Sequence, residues 1–455
     1  MNSLFGISLT ACFYATVGWP LTYVLGKLTR IERLGIAFLL GNGLTTLLWF
    51  ILYRLTTQFT LLTLLISGLM IFTASYWINK LLKFKYRNAA NQKISGLNRW
   101  LGSVVITLLS ISFIIGNYNP ISAWDSVTLY DFRGHTIALN HNLKDLIDGS
   151  YYISYPLMIS LDHAAVYMLR GINAQGFHSL IFIAFIAVVY GRMCKWTNLK
   201  LALLSALFII LNDEIFTHST VAYANLPYVV YLITGFLYAI TPTRKDKALG
   251  YLFIAGLLIG LSTWIRSDAP FWLIGIILLL LQGWWLKSKT FSLFAAFLVY
   301  LIRNAWLNFY YNVLRSLKLR DDKLSNPITV NALKQASSAF PDAETFQKVS
   351  DKLPEIAWYL YQHVFSPYRG LWLLTIPITI IGVMKKDSRL IFLLLTICLS
   401  AGMITVGVMI FSATYVTWDQ IGGSARRMML FIVPLSIITS VYALHLISKD
   451  DNDDH

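Results

Sequence analysis

The sequence predicts an all-α, polytopic membrane protein with about thirteen transmembrane helices and amphipathic helices on its outer face. Three observations predict this fold class. Hydrophobic residues make up 56% of the 455 residues and charged residues only 13%, whereas a soluble domain is about 25% charged. Apolar runs of about 17–25 residues, the length that spans a bilayer as a helix, recur along the chain. These runs are continuous, whereas the strands of a membrane barrel alternate in polarity, so strands are not expected.

Window hydrophobicity places the membrane spans in chain order. We expect the whole chain, 1–455, to form a single transmembrane domain, because no internal repeat is evident. The first span follows no basic segment and precedes no small-residue cleavage site, so we expect a retained helix rather than a signal peptide. The predicted spans are 4–26, 34–53, 59–79, 100–117, 177–193, 200–211, 226–241, 249–265, 269–286, 291–309, 368–384, 390–411 and 428–447.

The basic residues predict the orientation of the chain. Thirteen spans with the N-terminus outside place every basic loop, and the C-terminus, on the cytoplasmic side, as the positive-inside rule requires. We therefore expect a multi-pass protein of the cytoplasmic (inner) membrane. The same rule explains the net charge of +15, and because no basic stripe with interleaved aromatics is present, nucleic acid is not an expected partner. The residues that set this orientation are Lys27, Arg30, Arg33, Lys80, Lys83, Lys85, Arg87, Lys93, Arg99, Arg192, Lys195, Lys200, Arg244, Lys245, Lys247, Lys287, Lys289, Lys385, Lys386 and Arg389.

Two large outer loops follow from this topology. Residues 118–176 form the first and residues 310–367 the second, and most acidic residues fall on the outer side. The second loop carries three prolines and mixed charges. It is either a lid or acceptor surface with short helices or a plain surface loop. We expect the chemistry of the protein on this outer side.

The first outer loop opens with a polar, aromatic cluster, NPISAWDSVTLYDFRG, at 119–134. A carboxylate near the membrane surface keeps its charge only beside water, a cation or a donor. Asp125, next to Trp124, is therefore either a group that takes a proton from an acceptor hydroxyl or a solvated helix cap. Asp131 lies six residues on and is a substrate-binding candidate, unless it simply pairs with Arg133 at the surface.

Other polar residues of the outer side have two interpretations each. Asp213 and Glu214, at the end of a span, either bind a divalent cation or substrate or form a solvated terminus. Asp162 and His163 lie in an amphipathic stretch that could lie in the interface plane, where His163 is more often a polar-face residue than a ligand. Tyr155 is one of several rings that could stack on a sugar face. The sequence itself requires no cofactor.

Arginines mark two further outer positions. Arg266 and Asp268 lie at a tight hairpin tip, where they either form an ion pair or leave the guanidinium for a phosphate, which arginine binds in a bidentate manner. Arg426 and Arg427 begin the last span on its outer side, against the positive-inside trend. They bind either a phosphate or pyrophosphate, or alternatively Asp419 or lipid headgroups.

The layout resembles the GT-C fold glycosyltransferases, polytopic enzymes that include the protein O-mannosyltransferases, the lipid A aminoarabinose transferase and the oligosaccharyltransferase catalytic subunit. The resemblance covers about residues 100–447 and rests on the motifs AWDSVTLYDFRG, YPLMISL, YANLP, WIRSDAP and SARRMMLFIVP. It implies that Asp125 is the catalytic aspartate and that the donor is a sugar on a polyprenyl-phosphate carrier. The chain departs from the family in its three preceding spans and in Asn225, where relatives often carry an acid.

The expected function is therefore a membrane glycosyltransferase that moves a sugar from a polyprenyl phosphate to a glycan, lipid or protein acceptor on the non-cytoplasmic face. Asp125 would act as the base, and Arg266, Arg426 or Arg427 would stabilise the departing phosphate. Two alternatives remain open. One is an outer-face polysaccharide polymerase or ligase with a pyrophosphate-linked donor, using arginines of the second loop such as Arg315. The other is a lipid or sugar transporter, which would keep polar groups near the bilayer midplane.

Overall fold

The chain, seen in a computed structural model that describes residues 2–81, 87–88, 95–148, 154–241, 245–266, 270–316, 343–414 and 423–453, is built almost wholly of α-helices. Its described strands are two residues long each, Lys27–Leu28 (β1) and Arg87–Asn88 (β2), and they pair in parallel. The chain divides into two compact units, residues 1–316 and 317–455, and each is described by itself. The predicted all-α architecture is confirmed.

The first unit contains fourteen of the described helices. Ten are the apolar helices of the predicted spans, and the other four are short helices between them. In chain order they are α1 (Asn2–Gly18), α2 (Arg30–Thr56), α3 (Leu61–Leu81), α4 (Gly96–Tyr118), α5 (Phe132–Asn140), α6 (Lys144–Asp148), α7 (Met158–Met168), α8 (Gly176–Trp196), α9 (Leu199–Ile210), α10 (Asp213–Ser219), α11 (Asn225–Ile240), α12 (Lys245–Ile265), α13 (Trp272–Trp285) and α14 (Lys289–Ser316).

The second unit contains five described helices. They are α15 (Ala343–Asp351), α16 (Leu353–Leu360), α17 (Arg369–Val383), α18 (Ser388–Thr414) and α19 (Ser424–Asp453). A π-helical turn, Tyr361–Phe365, and a 3-10 turn, Ser366–Tyr368, join α16 to α17. Helix α19 is the most buried long helix of this unit, with 78% of its apolar window buried.

Nine helices of the described chain are long and apolar enough to cross a membrane, and four shorter apolar helices accompany them. Each of the four, Leu4–Gly18, Leu199–Ile210, Asn225–Ile240 and Trp272–Trp285, coincides with a predicted span. A helix of 16 residues is about 24 Å long, less than the roughly 30 Å hydrocarbon core. A multi-pass membrane protein is therefore supported, whereas the count of thirteen spans stays a prediction.

Two predicted boundaries differ from the structure. The first span was predicted to run to residue 26, but α1 ends at Gly18 and a 3-10 helix, Pro20–Leu25, follows, because proline interrupts the helical hydrogen-bond ladder. The second outer loop was predicted to end at 367, but an apolar segment suited to spanning begins at Leu353. Residues 317–342 of that loop lie outside the described residues.

The contacts of the first unit place its predicted outer segments at one end. The Leu143 amide donates to the Tyr53 hydroxyl at 3.2 Å, which joins the first outer loop to the end of α2. Asn173, just before α8, donates to the Asn119 carbonyl at 2.9 Å, which joins it to the end of α4. We call this the Asp125 end. At the opposite end, Lys195 Nζ donates to the Lys27 carbonyl at 2.5 Å.

Glycines allow α1 and α2 to pack closely. A Cβ atom added at Gly41 would overlap the carbonyl oxygen of Tyr14, and one added at Gly18 would overlap that of Ala37. Small residues at such crossings let two membrane helices approach backbone to backbone. The position of α1 in the first unit therefore depends on these two residues.

We expect Gly41→Ala to destabilise the first unit by about 1–3 kcal/mol, the usual cost of overpacking a close contact. The measurement is the thermal unfolding midpoint of the purified full chain in detergent. Gly102→Ala is the matched control, because a Cβ at Gly102 meets nothing within 4 Å. It should leave stability unchanged or raise it by up to about 1 kcal/mol, the difference in helix propensity. Equal destabilisation by both variants would contradict the packing argument.

Candidate functional site

The chain leaves α4 at the Asp125 end and turns into a π-helical segment, Ser126–Asp131. π-Helical segments are rare in proteins, and many of those that do occur lie at functional sites. Asp125 directly precedes the segment and is half-buried, and Trp124 beside it is 74% exposed. Within the described chain the Asp125 carboxylate makes no hydrogen bond or ion pair, so it is available to a ligand.

Asp131, at the far end of the π-helical segment, is bonded to buried side chains. Its Oδ1 lies 3.0 Å from Nδ1 of His163 and also accepts from the hydroxyl of Tyr167. Its Oδ2 lies 3.8 Å from Nε2 of His135, whose ring stacks on Tyr167 at 3.8 Å. Burial alone would raise the pKa of the Asp131 carboxyl, but the hydrogen bonds from His163 and Tyr167 outweigh it and hold the pKa below its usual value.

A second histidine extends this chain of polar groups into the first unit. Nε2 of His163 lies 3.2 Å from Nε2 of His178, and the two rings are nearly perpendicular. Both side chains are buried, His163 fully. For the two ring nitrogens to form a hydrogen bond, one must carry a proton and the other must accept it. Asp131, His163 and His178 therefore form a continuous hydrogen-bonded chain, which we call the acid–histidine chain.

The location of helix α7 overturns one sequence interpretation. The stretch was expected to lie in the membrane interface with His163 on a polar face, but the nine residues Met158–Val166 are all buried. Helix α7 packs against α1, α2 and α5 inside the first unit. The polar residues of α7 therefore face protein groups rather than water, which explains why His163 has the buried partners Asp131 and His178.

Arg133 has a different role from the surface ion pair with Asp131 that the sequence suggested. Its side chain is only 1% exposed. It donates to Ser160 Oγ at 3.0 Å and to the carbonyl oxygens of Tyr155 at 3.0 Å and Pro156 at 2.8 Å. Arg133 thus fixes the backbone that leads into α7, and Tyr155, a predicted substrate-binding residue, lies half-buried at that point.

Asp213 and Glu214 occupy the first turn of α10, near the same end. Asn212 caps this helix by accepting from the Ile215 amide at 3.1 Å. Glu214 pairs with His218 one turn on, at 3.5 Å, whereas Asp213 is exposed. The hydroxyls of Ser219 and Ser112 join α10 to α4 at 2.7 Å. Both acids therefore lie on a helix that packs against the one preceding Asp125.

Arg266 follows α12 at the Asp125 end and donates to the side-chain oxygen of Asn225, at the start of α11. It is half-buried. The predicted neighbour Asp268 lies outside the described residues. Asn225 therefore accepts a hydrogen bond from Arg266. This is the position at which the chain departs from the pattern of the GT-C fold glycosyltransferases.

Arg426 and Arg427 lie in the first turn of α19, in the second unit. Arg426 is exposed, and Arg427 donates to Ser424 Oγ at 3.4 Å. The Tyr359 hydroxyl accepts from the Ala425 amide at 3.4 Å, and the Tyr359 ring lies 4.4 Å from that of His363. The two arginines are therefore adjacent to a helix, α16, and to its π-helical continuation.

An apolar cavity of about 330 Å³ lies between these elements of the second unit. Tyr361 and Phe365, about half exposed, are part of its lining, so the cavity is open at the surface. Ile432 contributes from α19, five residues after Arg427, which is about 8 Å along a helix. The lining residues are Ala357, Leu360, Tyr361, Val364, Phe365, Ala401, Ile404, Thr405 and Ile432.

The candidate residues thus fall into two groups. Trp124, Asp125, Asp131 and Tyr155 lie together in the first outer loop of the first unit, and the arginine pair lies in the second unit. In the described chain, no three His, Cys, Asp or Glu side chains are placed to bind a metal ion. Sequence reasoning missed His135, Tyr167 and His178. The four-residue spacings Asp131–His135 and His163–Tyr167 were the available signal, because such residues share a helix face.

We expect Asp131→Asn to destabilise the first unit by about 2 kcal/mol at neutral pH, because hydrogen bonds to a charged group are lost. A carboxyl whose folded pKa is lowered contributes stability above its unfolded pKa of about 3.9, and this contribution disappears as the pH falls through the folded value. The difference in unfolding midpoint between wild type and variant should therefore shrink below about pH 4. A difference independent of pH from 7 to 3 would contradict this assignment.

Comparison of the chain with protein-family models, with curated proteins and with solved structures finds no match.

Proposed function

We propose that the protein is a membrane glycosyltransferase of the GT-C type. It would transfer a sugar from a polyprenyl-phosphate carrier to a glycan, lipid or protein acceptor on the non-cytoplasmic face of the membrane. Two separate observations support the proposal: the first unit holds the Asp125 carboxylate, which has no partner in the described chain, and the second unit holds an apolar cavity near two arginines.

The observation that carries the proposal is the apolar cavity beside Arg426 and Arg427. A polyprenyl phosphate is an anion on a long hydrocarbon chain, so its site needs apolar lining next to cationic groups. The cavity is lined almost entirely by hydrocarbon and aromatic rings, and the arginines lie about two helical turns from Ile432 in its wall.

The proposed reaction assigns a role to each group. The Asp125 carboxylate takes the proton of an acceptor hydroxyl as that oxygen bonds to the anomeric carbon of the sugar. The bond between the anomeric carbon and the phosphate oxygen breaks, and its electron pair leaves with the polyprenyl phosphate. A guanidinium stabilises the negative charge that builds on this leaving group, and the candidates are Arg266 in the first unit and the pair Arg426 and Arg427 in the second, each unit taken by itself. Trp124, beside the carboxylate and mostly exposed, offers a ring for the sugar or acceptor to stack on.

The test is a transfer assay with the purified full chain in lipid vesicles and a labelled sugar donor. Two donors are compared, the same sugar on polyprenyl monophosphate and on polyprenyl pyrophosphate. Transfer from the monophosphate supports the proposal. Transfer only from the pyrophosphate would favour a polymerase or ligase, and movement of the donor across the bilayer without transfer would favour a transporter.

A further inference from the structure

A fully buried carboxylate, Asp162, directly precedes His163 of the acid–histidine chain on α7. Its side chain has 0% exposure. Three polar side chains from three other helices face it: Tyr14 of α1, Asn42 of α2 and Tyr231 of α11. An ionised carboxylate in such surroundings is very costly unless a cation or a proton neutralises it.

No cationic side chain takes that role among the described neighbours of Asp162. The groups that interact with it electrostatically are the two tyrosines and the amide of Asn42. The charged and titratable groups of the π-helical segment and α5 contact other residues of α7: Asp131 bonds to His163 and Tyr167, Arg133 to Ser160, and His135 stacks on Tyr167.

The hydrogen bonds around Asp162 indicate which species neutralises it. Asn42 Nδ2 donates to Asp162 Oδ2 at 3.3 Å. The remaining oxygen of each group, Asp162 Oδ1 and Asn42 Oδ1, is buried and makes no well-aligned hydrogen bond in the described chain. The Tyr14 hydroxyl is a donor that faces the carboxyl. If the Asn42 amide were flipped, so that its nitrogen and oxygen changed places, the amide would donate to the other carboxylate oxygen and leave the first without this donor. A proton placed between these two acceptors would satisfy both of them.

We propose that Asp162 is a proton-binding site in the folded protein, a neutral carboxylic acid that donates from Oδ1 to the amide oxygen of Asn42. One added proton completes a two-point pair between a carboxylic acid and a carboxamide and satisfies both unpartnered oxygens. The hydroxyl of Tyr14, which is buried and interacts with the same carboxyl, donates toward it with its own proton. A monovalent cation would instead need several more oxygen ligands.

This site links folding to proton uptake. Burial raises the pKa of Asp162 well above its usual value. A group with a raised folded pKa contributes stability that is full below its unfolded pKa of about 3.9 and that declines as the pH rises toward the folded value. Each pH unit in that window should lower the folding equilibrium constant about tenfold through this one group.

Asp162→Asn is the decisive variant. Asparagine presents one N–H donor and one carbonyl acceptor, so it reproduces the pair with Asn42 without a titrating proton. We expect Asp162→Asn to match wild type near pH 4 and to exceed it in unfolding midpoint by a margin that grows as the pH rises toward 8. The infrared difference spectrum, wild type minus variant, should contain the C=O stretch of a protonated carboxylic acid at neutral pH.

Two control variants and a salt comparison distinguish a proton bound at Asp162 from a bound cation. Asp162→Ala, which cannot make the pair, should lower the unfolding midpoint at every pH. The exposed Asp145→Asn should change neither the midpoint nor the infrared band. Ionised carboxylate bands at neutral pH, with stabilisation by sodium chloride but not choline chloride, would overturn the proposal in favour of a cation site. Failure of Asp162→Asn to fold where wild type folds would also overturn it, because an uncharged amide should suffice.

Discussion

Replacing Asp125 with asparagine should lower the turnover of sugar transfer by about 10²- to 10⁴-fold, the usual contribution of a general base. The amide keeps the size of the side chain but cannot accept the proton of the acceptor hydroxyl. Because the substitution removes only the proton acceptor and keeps the shape of the side chain, KM for the donor should change little. The measurement is steady-state transfer with varied donor concentration.

The control for this variant is Asp148→Asn, which removes an exposed carboxylate from the same outer loop and should leave turnover within about twofold. Because Asp125 makes no hydrogen bond or ion pair within the described chain, neither variant should lower the unfolding midpoint. A correctly folded Asp125→Asn protein with wild-type turnover would remove Asp125 from the mechanism. A rise in KM alone would assign it to binding instead.

Replacing Glu32 with alanine should destabilise the first unit by about 3–5 kcal/mol, the cost of leaving buried charges unpaired. Glu32 and Arg192 are both 0% exposed and form an ion pair. Glu32 also lies 3.2 Å from Lys195 Nζ and accepts from the Tyr238 hydroxyl at 3.1 Å. Removing this carboxylate leaves a buried guanidinium, which cannot lose its proton. Chemical unfolding of the full chain in detergent would measure the loss.

Asp145→Asn is the matched control for Glu32, because Asp145 is an exposed acid with one amide partner, Asn140. It should cost no more than about 0.5 kcal/mol. In the double variant Glu32→Ala, Arg192→Met the uncompensated charge is removed, so the loss should be smaller than the sum of the single losses. Additive losses would mean that the two side chains do not stabilise each other.

The sequence predicted where the helices lie along the chain, but it did not predict which of their side chains are buried or what those side chains contact. Each predicted span coincides with a described helix, because hydropathy is summed over neighbours in the chain. Arg33 and Arg192 were read as loop cations, but both lie inside helices and are fully buried. Window hydropathy could not show this, because the carboxylate beside Arg192 comes from Glu32, on another helix.

In the predicted first outer loop, too, the sequence identified the candidate residues but not their hydrogen-bond partners. The sequence singled out Asp125 and Asp131 from their position after a span, and both flank the π-helical segment. It did not predict that Asp131 would bond to His163, 32 residues away, or that Arg133 would bond to backbone carbonyls before α7. The local pattern of charges favoured a surface pair between Asp131 and Arg133, and the packing of α7 decided otherwise.

By itself, the sequence determined that this chain is helical, that it is apolar enough to cross a membrane many times, and where the polar segments between its apolar helices begin. Those properties depend on neighbours along the chain. Only the tertiary structure decided which carboxylates stay available, as Asp125 does, which pair with other side chains, as Asp131 does, and which become fully buried, as Asp162 does. Burial and hydrogen-bond partners depend on helices distant in sequence, and the same side chain is a solvated acid, a paired anion or a neutral acid according to what packs against it.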